Sequence, residues 1–390
     1  GLIFGDGVAA LTRELILNHP RSQPEHWLFV EDDGSGQIVS TLCLIPWTLR
    51  YESVTLRAGE AGIVGTREAY RRRGLVRALF HRHAELLRTG DYDLSHIQGI
   101  PYFYRQFGYE YALPLEGGWR VDLHLVPALP PGQAEGATLR LATLDDLPLL
   151  TKLYAKAVHG LDIHSLRDES EWRYLFGPSK RTEMTAETWL VLDTGGQPVG
   201  YLRVPQEGFG EGLIVNEATA MDATTAQAVL RWLKALCVER HKPHIRLCLP
   251  AHSVLLRTAR YWGAHDLGHY AWQIRIVDTA RLLRKLAPIL ERRLAASALS
   301  GLTQNVCLNL YREAFELRFE GGRLAAVEPL GFSDRGGIRI PPPLLAPLLL
   351  GYRDREELAR AHHDVSISGE WQHLVDILFP KVTSFIHTIY

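Results

Sequence analysis

Neither a helix nor a β-ladder can run through Pro127-Ala-Leu-Pro-Pro-Gly-Gln-Ala-Glu-Gly136, where prolines remove backbone donors and glycines loosen the chain. A chain of 390 residues broken there cannot be one continuous unit. At roughly 100–200 residues per domain it should hold two to four. A second, weaker boundary falls near Val277-Asp278, ahead of a strongly helical pattern from Thr279 to about Ser297. The division expected is therefore 1–130, 137–277 and 278–390. Just past the first break, Thr138-Leu-Arg-Leu-Ala142 alternates like a strand, and Thr143 with Asp146 has the spacing of a helix cap.

Composition excludes several classes. Lys+Arg total 43 against 44 Asp+Glu, a balance unsuited to coating nucleic acid. The most apolar stretch, Pro341 to Tyr352, is interrupted by prolines, so no membrane span is expected. Asp6 and Arg13 break any leader-like opening. Cys43, Cys237, Cys248 and Cys307 form no C-x-x-C pair, which suits a reducing compartment and leaves no cysteine zinc site. The histidines form no H-E-x-x-H, His81 and His83 do not share a helix face, and no metal is expected. The reading is a cytoplasmic, multidomain protein.

The first two segments echo each other. Trp27-Leu-Phe-Val-Glu-Asp-Asp-Gly34 and Trp189-Leu-Val-Leu-Asp-Thr-Gly195 both read as hairpins with glycine turns. Tyr104-Arg-Gln-Phe-Gly-Tyr109 is echoed by Thr258-Ala-Arg-Tyr-Trp-Gly-Ala264, and a strand carrying Trp119 or Trp272 follows each. Three matches in one order suggest a duplicated domain. The last segment alternates strands and helices in an α+β pattern with no nucleophile or metal motif.

One stretch carries chemistry. Gly62-Ile-Val-Gly-Thr-Arg-Glu-Ala-Tyr-Arg-Arg-Arg-Gly-Leu-Val-Arg77 reads as strand, connection and helix. The helix, from about Leu75 to Arg88, gathers Val76, Leu79, Phe80, His83 and Leu87 on one side. A helix N-terminus preceded by Arg71-Arg-Arg-Gly74 suits a phosphate: free amides, partial positive charge, close backbone approach and full cations. A solvated arginine cluster is the alternative reading of the same residues. Downstream, Asp93–Gln98 reads as a strand and Pro101–Gly108 as a short helix ending on a glycine of positive φ. Tyr109 then either faces a cleft or joins an aromatic cluster. Glu25, Asp32 and Asp33 either attract a cationic substrate or form a solvated turn.

Thr66, the Arg71-x-x-Gly74-x-Val76 turn, a strand and then Tyr104-Arg-Gln-Phe-Gly-Tyr109 resemble the GNAT superfamily of N-acetyltransferases. The whole layout is similar to the enhanced intracellular survival (Eis) acetyltransferases. That resemblance implies an α/β (α+β) fold class: two tandem GNAT-fold domains, the second degenerate, followed by a domain similar to sterol carrier proteins (SCP2-like). It implies acetyl-CoA as co-substrate and direct transfer to a primary amine of the aminoglycoside, polyamine or lysine type. It also implies a homo-oligomer, with a hexamer among the forms of the family.

Residue by residue, the resemblance places Val64, Gly65 and Thr66 along the pantetheine arm and thioester. It places Arg72, Arg73, Gly74, Leu75, Val76 and Arg77 at the pyrophosphate, and Tyr104 and Arg105 near the cofactor. Tyr109 matches the general acid toward the thiolate, and the carboxylate of Tyr390 the general base. Val76 departs from the family's Gly or Ala and threatens to crowd the phosphates. The family's first strand is missing, and Gly1 in place of Met reads as a trimmed start. The second segment has neither arginine nor glycine at its turn, and Ala264 where the first has Tyr109, so it is expected to bind no acetyl-CoA. Two other functions fit the same residues: a non-catalytic binder of CoA or an apolar ligand, and a transferase of longer acyl groups.

Overall fold

A computed structural model of the protein describes residues 3–115, 117–208, 210–268 and 270–390; Gly1 lies outside them. The first segment forms α1 (Asp6–Asn18), β1 (Trp27–Asp32), β2 (Gln37–Tyr51), β3 (Val54–Thr66), α2 (Leu75–Thr89) and β4 (Leu94–Ile97). A short 3-10 turn (Phe103–Phe107), β5 (Glu110–Leu115) and β6 (Trp119–Asp122) complete it. In the β1–β2 turn the Asp32 carboxylate accepts from the Ser35 amide and hydroxyl, at 3.1 and 2.6 Å. This acid closes its own turn. On α2, Leu79, Phe80, His83 and Leu87 are buried, the face that the 3.6-residue spacing predicts.

Residues 127–136 carry no helix or strand. After them come β7 (Thr138–Leu141), α3 (Leu147–Val158), β8 (Ile163–Ser165), α4 (Glu169–Phe176), β9 (Ala186–Leu192) and β10 (Pro198–Pro205). Then follow β11 (Leu213–Val215), β12 (Glu217–Ala218), α5 (Ala223–Glu239), β13 (His244–Leu247), α6 (Val254–Tyr261), β14 (His265–Asp266) and β15 (Tyr270–Ile276). Thr143 and Asp146 form the reciprocal cap that their spacing predicts. The last segment is α7 (Thr279–Ala295), β16 (Gln304–Asn309), β17 (Ala314–Glu320), β18 (Arg323–Gly331), β19 (Ile338–Arg339) and α8 (Pro342–Leu349). It ends with α9 (Arg355–Ala361), β20 (Ser366–Ile367), α10 (Gly369–Leu378) and β21 (Ser384–Phe385).

Strand pairing crosses the segments. Among the described residues the first sheet runs β21-β8-β2-β3-β4-β15-β5, with β1 added on β2. Strand β15, late in the second segment, thus lies between β4 and β5 of the first. In return β6 pairs with β13 and β14 in the sheet β11-β13-β6-β14. The two tryptophan strands that follow the sequence echoes have changed places: Trp272 lies in the first sheet and Trp119 in the other. The cores explain the fit. Val121 of β6 is buried with Ile245 and Leu247, while Trp272 and Ile274 of β15 are buried with Trp47 and Leu94.

Helix α2 covers one face of the first sheet, over Leu42, Ala61, Ile97 and Tyr109. The opposite face, with Trp47, Leu49 and Leu56, shares one core with α1 and the last segment. Tyr51 donates its hydroxyl to the Leu349 carbonyl at 2.9 Å, and Lys285 meets Asp93 at 2.6 Å, so the third segment is tied to this sheet. No described helix is long and apolar enough to cross a membrane.

Candidate functional site

Strands β3 and β4 run parallel but pair over only three positions: Ala58–Leu94, Gly59–Ser95 and Glu60–His96. Past Glu60, β3 continues to Thr66 along β2 alone. A bulge parts the strands. Its register against β2 shifts between Thr41 and Cys43, and Ile63 takes a left-handed φ of 50°. A bulge bends and twists the strand that carries it. The result is a fork in mid-sheet whose β3 arm, Ala61–Thr66, is paired with β2 but not with β4. Val64 packs toward the α2 face, and the Thr66 hydroxyl lies 2.8 Å from that of Ser40. At Gly65, Phe4 and Ile3 lie against bare backbone, where a Cβ would come within 2.2 Å of the Phe4 ring.

Beyond the fork, β3 leads into the turn before α2. Arg71, Arg72, Arg73 and Gly74 are exposed. Arg72 and Gly74 have positive φ, 64° and 78°, and a Cβ on Gly74 would meet nothing within 4 Å. The first backbone bond of α2 runs from the Ala78 amide to the Gly74 carbonyl. The amides of Leu75, Val76 and Arg77 therefore have no helical acceptor, and the helix presents its positive end. Val76 does not crowd this end: its side chain packs inward with Val64 and Phe107 against the Phe80 cluster. Arg73 lies over the Tyr70 ring at 4.8 Å. Next to the turn is a groove of about 380 Å³ lined by Arg77, Phe80, His81, Ala84, Gln106, Phe107 and Arg275. Its lining holds three basic groups and no carboxylate. Arg275 reaches it only because β15 has crossed over, a long-range event with no signal in local sequence.

Tyr109 follows Gly108, which has the positive φ (84°) its place after the short helix predicts. Its hydroxyl does not face an open cleft. The residue is 0% exposed, packed by Phe80 and Tyr104, and its hydroxyl lies 2.7 Å from Ser95 Oγ. Ser95 Oγ also bonds the Gly59 carbonyl at 2.8 Å, at the base of the fork. Burial pushes the Tyr109 phenol up to about 12, so it stays protonated at neutral pH. Tyr104 fills the space over Gly99, and Arg105 pairs with Glu110 at 2.9 Å. Of the two readings, Tyr109 follows the aromatic cluster; its hydroxyl is buried on Ser95, beside the base of the fork, and does not face a cleft.

Neighbouring side chains of a strand point to opposite faces. Ser95 turns toward α2 and Tyr109, His96 away from them. On His96's side lies a group that sequence reading missed. Glu60 accepts from Trp47 Nε1 at 2.9 Å and from the Tyr390 hydroxyl at 2.8 Å, with His96 Nε2 3.8 Å away. Burial raises the Glu60 carboxyl to about 7 and lowers His96 to about 3. Tyr390 therefore reaches the fork from the face opposite Tyr109. Only the meeting of residues 330 positions apart reveals this cluster. The local sequence signal is a glutamate flanked by Ala58-Gly59 and Ala61-Gly62.

In the second segment, helix α5 starts differently. The Asp222 carboxylate accepts from the Thr225 amide at 2.7 Å, so a side-chain anion already fills the helix start. Ala264, opposite Tyr109 in the echo, brings no hydroxyl. Among the described residues no group of metal-binding side chains occurs.

Residues 12–112, which contain the fork, the turn and Tyr109, match the acetyltransferase (GNAT) domain family model. No curated protein matches the sequence. Similar solved structures span nearly the whole chain. A GCN5-related N-acetyltransferase from Anabaena variabilis aligns with a TM-score of 0.69 at 16% identity, covering 98% of this chain and 92% of its own. A probable N-acyltransferase from Enterococcus faecalis aligns at 0.70 and 14%, covering 100% and 98%. Eis1 from Mycobacterium abscessus aligns at 0.62 and 17%, covering 98% and 96%. At such identities the likeness establishes the fold.

Proposed function

We propose that the protein is an N-acetyltransferase that moves acetyl from acetyl-CoA directly to a primary amine. GNAT domains use acetyl-CoA generally, and the matched segment gives this chain an acyltransferase scaffold. One observation carries the reading: a strand fork whose β3 arm is paired with β2 alone opens beside a helix start that has free amides, and a neutral phenol sits at the fork's base. That arrangement suits a long thioester ending in a diphosphate. The residues present fit it. Gly74 leaves room for close approach, Val76 points away, and the groove beyond is cationic.

In this reading the backbone of Val64, Gly65 and Thr66 lines the thioester arm. Amides from Arg72 to Arg77 hold the diphosphate, and Tyr104 and Arg105 border the site. The co-substrate supplies the activated acetyl group. The Tyr390 carboxylate takes the proton from the attacking amine on one face of the sheet, and Tyr109 donates to the departing sulphur from the other. None of this needs a covalent acyl-enzyme. Cys43, the cysteine next to this region, is fully buried, and burial raises its thiol far above the usual range. The second unit would bind no acetyl-CoA, because Asp222 occupies its helix start. We read it as a degenerate GNAT unit and the last segment as an SCP2-like domain. The acceptor class remains an aminoglycoside, polyamine or lysine-type amine.

The test is release of free CoA thiol across a panel of amines. Release that requires both acetyl-CoA and an amine supports the reading. Binding of acetyl-CoA with no release on any amine would make the protein a binder instead.

A further inference from the structure

Residues 383–390 thread from the surface to the fork, and polar contacts hold nearly every step. Strand β21 pairs in parallel with β8, Ser384 beside Ile163 and Phe385 beside His164. Ser165 Oγ then donates to the His387 carbonyl at 2.7 Å and accepts from the His387 amide at 3.0 Å. Arg167 Nη2 donates to the Thr388 carbonyl at 2.7 Å. Ile389 is buried in the shared core. The Thr388 hydroxyl turns forward and donates to the main-chain oxygen of Tyr390 at 3.0 Å, while the Tyr390 phenol is held by Glu60.

Arg167 is itself locked. Its guanidinium makes two parallel bonds to Glu217, at 2.9 and 3.0 Å, and both side chains are fully buried. It stacks over the rings of Trp172 and Tyr154, at 4.3 and 4.5 Å. Tyr201 donates to the same Glu217 carboxylate, and Arg203 approaches it at 3.9 Å. A paired charge this deep contributes little net stability against an apolar packing of the same shape, yet it fixes geometry rigidly. Glu217 belongs to β12 of the second unit, which has lost the features of a diphosphate site. That unit instead furnishes a rigid anchor aimed at the tail.

We propose that Arg167, fixed by Glu217, and Thr388 are positioning residues for the proton acceptor: Arg167 sets the Thr388 backbone, and the Thr388 hydroxyl aims the Tyr390 carboxylate at the fork. This rests on the reading of that carboxylate as the base. It gives the second unit a task in the reaction, though it touches neither donor nor acceptor. A base displaced by an ångström loses much of its effect, up to about a hundredfold.

The experiment compares the full chain with Thr388→Val, Thr388→Ser and the double variant Arg167→Met/Glu217→Gln, which removes both charges together. Thr388→Val keeps shape and loses only the hydroxyl. Its kcat should fall about tenfold or more, with KM for acetyl-CoA and amine within about twofold of the parent. Thr388→Ser should restore kcat. The double variant should show the same kcat-against-KM split with a cooperative thermal transition retained. Parental kcat in Thr388→Val would overturn the inference. A loss of kcat in Thr388→Ser equal to that in Thr388→Val would also overturn it, because bulk and not the hydroxyl would then matter. A chain lacking Tyr390 separates the two layers. If it is inactive while Thr388→Val is fully active, the base reading stands and this inference fails. If it is fully active, the base reading itself fails.

Discussion

Tyr109 joins two demands in one side chain. Its ring completes an aromatic cluster under α2, and its hydroxyl meets Ser95 where the strands part. Tyr109→Phe keeps the ring and removes the donor. We expect kcat to fall by about a hundredfold, with acetyl-CoA affinity, read by calorimetry, unchanged. Parental turnover would take Tyr109 out of the reaction. Glu60 makes a separate prediction. Its carboxyl is raised to about 7 by burial, so the fold binds its proton more tightly than the unfolded chain does. The stability this gives is fully present below the ordinary carboxylate pKa and is lost as pH rises toward about 7. A shift of that size corresponds to on the order of 3 kcal/mol. Glu60→Gln cannot ionise and should abolish the effect. In urea melts the parent should lose ground to the variant between pH 4.5 and 7.5, and a constant difference would show that Glu60 is already ionised at the lower pH. Tyr109 was legible in the sequence because a glycine and a local turn announce it. Glu60 was not, since its partners come from β2, β4 and the last residue of the sequence.

At the scale of elements, the turn before α2 is the feature most directly written in sequence. Its glycine, its arginines and the apolar spacing of the helix that follows are all local, and local chemistry decides them. The concern over Val76 illustrates the limit: the side chain's direction depends on how α2 sits on the sheet, and it turns into the core. Gly74 has a left-handed φ with open space around it. Gly74→Ala should therefore cost only about 1–2 kcal/mol of stability, while KM for acetyl-CoA should rise, because a methyl group would stand where the diphosphate is proposed to approach. Arg72→Glu with Arg73→Glu should also raise KM, and the rise should shrink in high salt. Loss of folding in the exposed arginine variants would assign the cluster a structural role instead.

Across the whole molecule, the chain order misleads. The proline-rich break and the repeated hairpins point to separate successive units, yet β6 and β15 are exchanged between their sheets. No local pattern could reveal this. A strand's edges carry the same donors and acceptors everywhere, so partner choice rests on which apolar face fits which core. The exchange places Arg275 in the cationic groove and Trp272 beside His96. It also predicts that residues 1–130 expressed alone lack the strand between β4 and β5. That fragment should show no cooperative thermal transition by circular dichroism, whereas the full chain should show one. A cooperative, folded fragment would mean that β15 is dispensable to the first sheet.

In the proposed function, the fork and the helix start together present an acetyl thioester to an amine. The most direct measurement is free-thiol release by the full chain with acetyl-CoA, with and without each amine of a panel of aminoglycosides, polyamines and lysine peptides. Release should depend on an amine and fade in both Tyr109→Phe and Gly74→Ala. Release that ignores the amine, or none with any member of the panel, would contradict it.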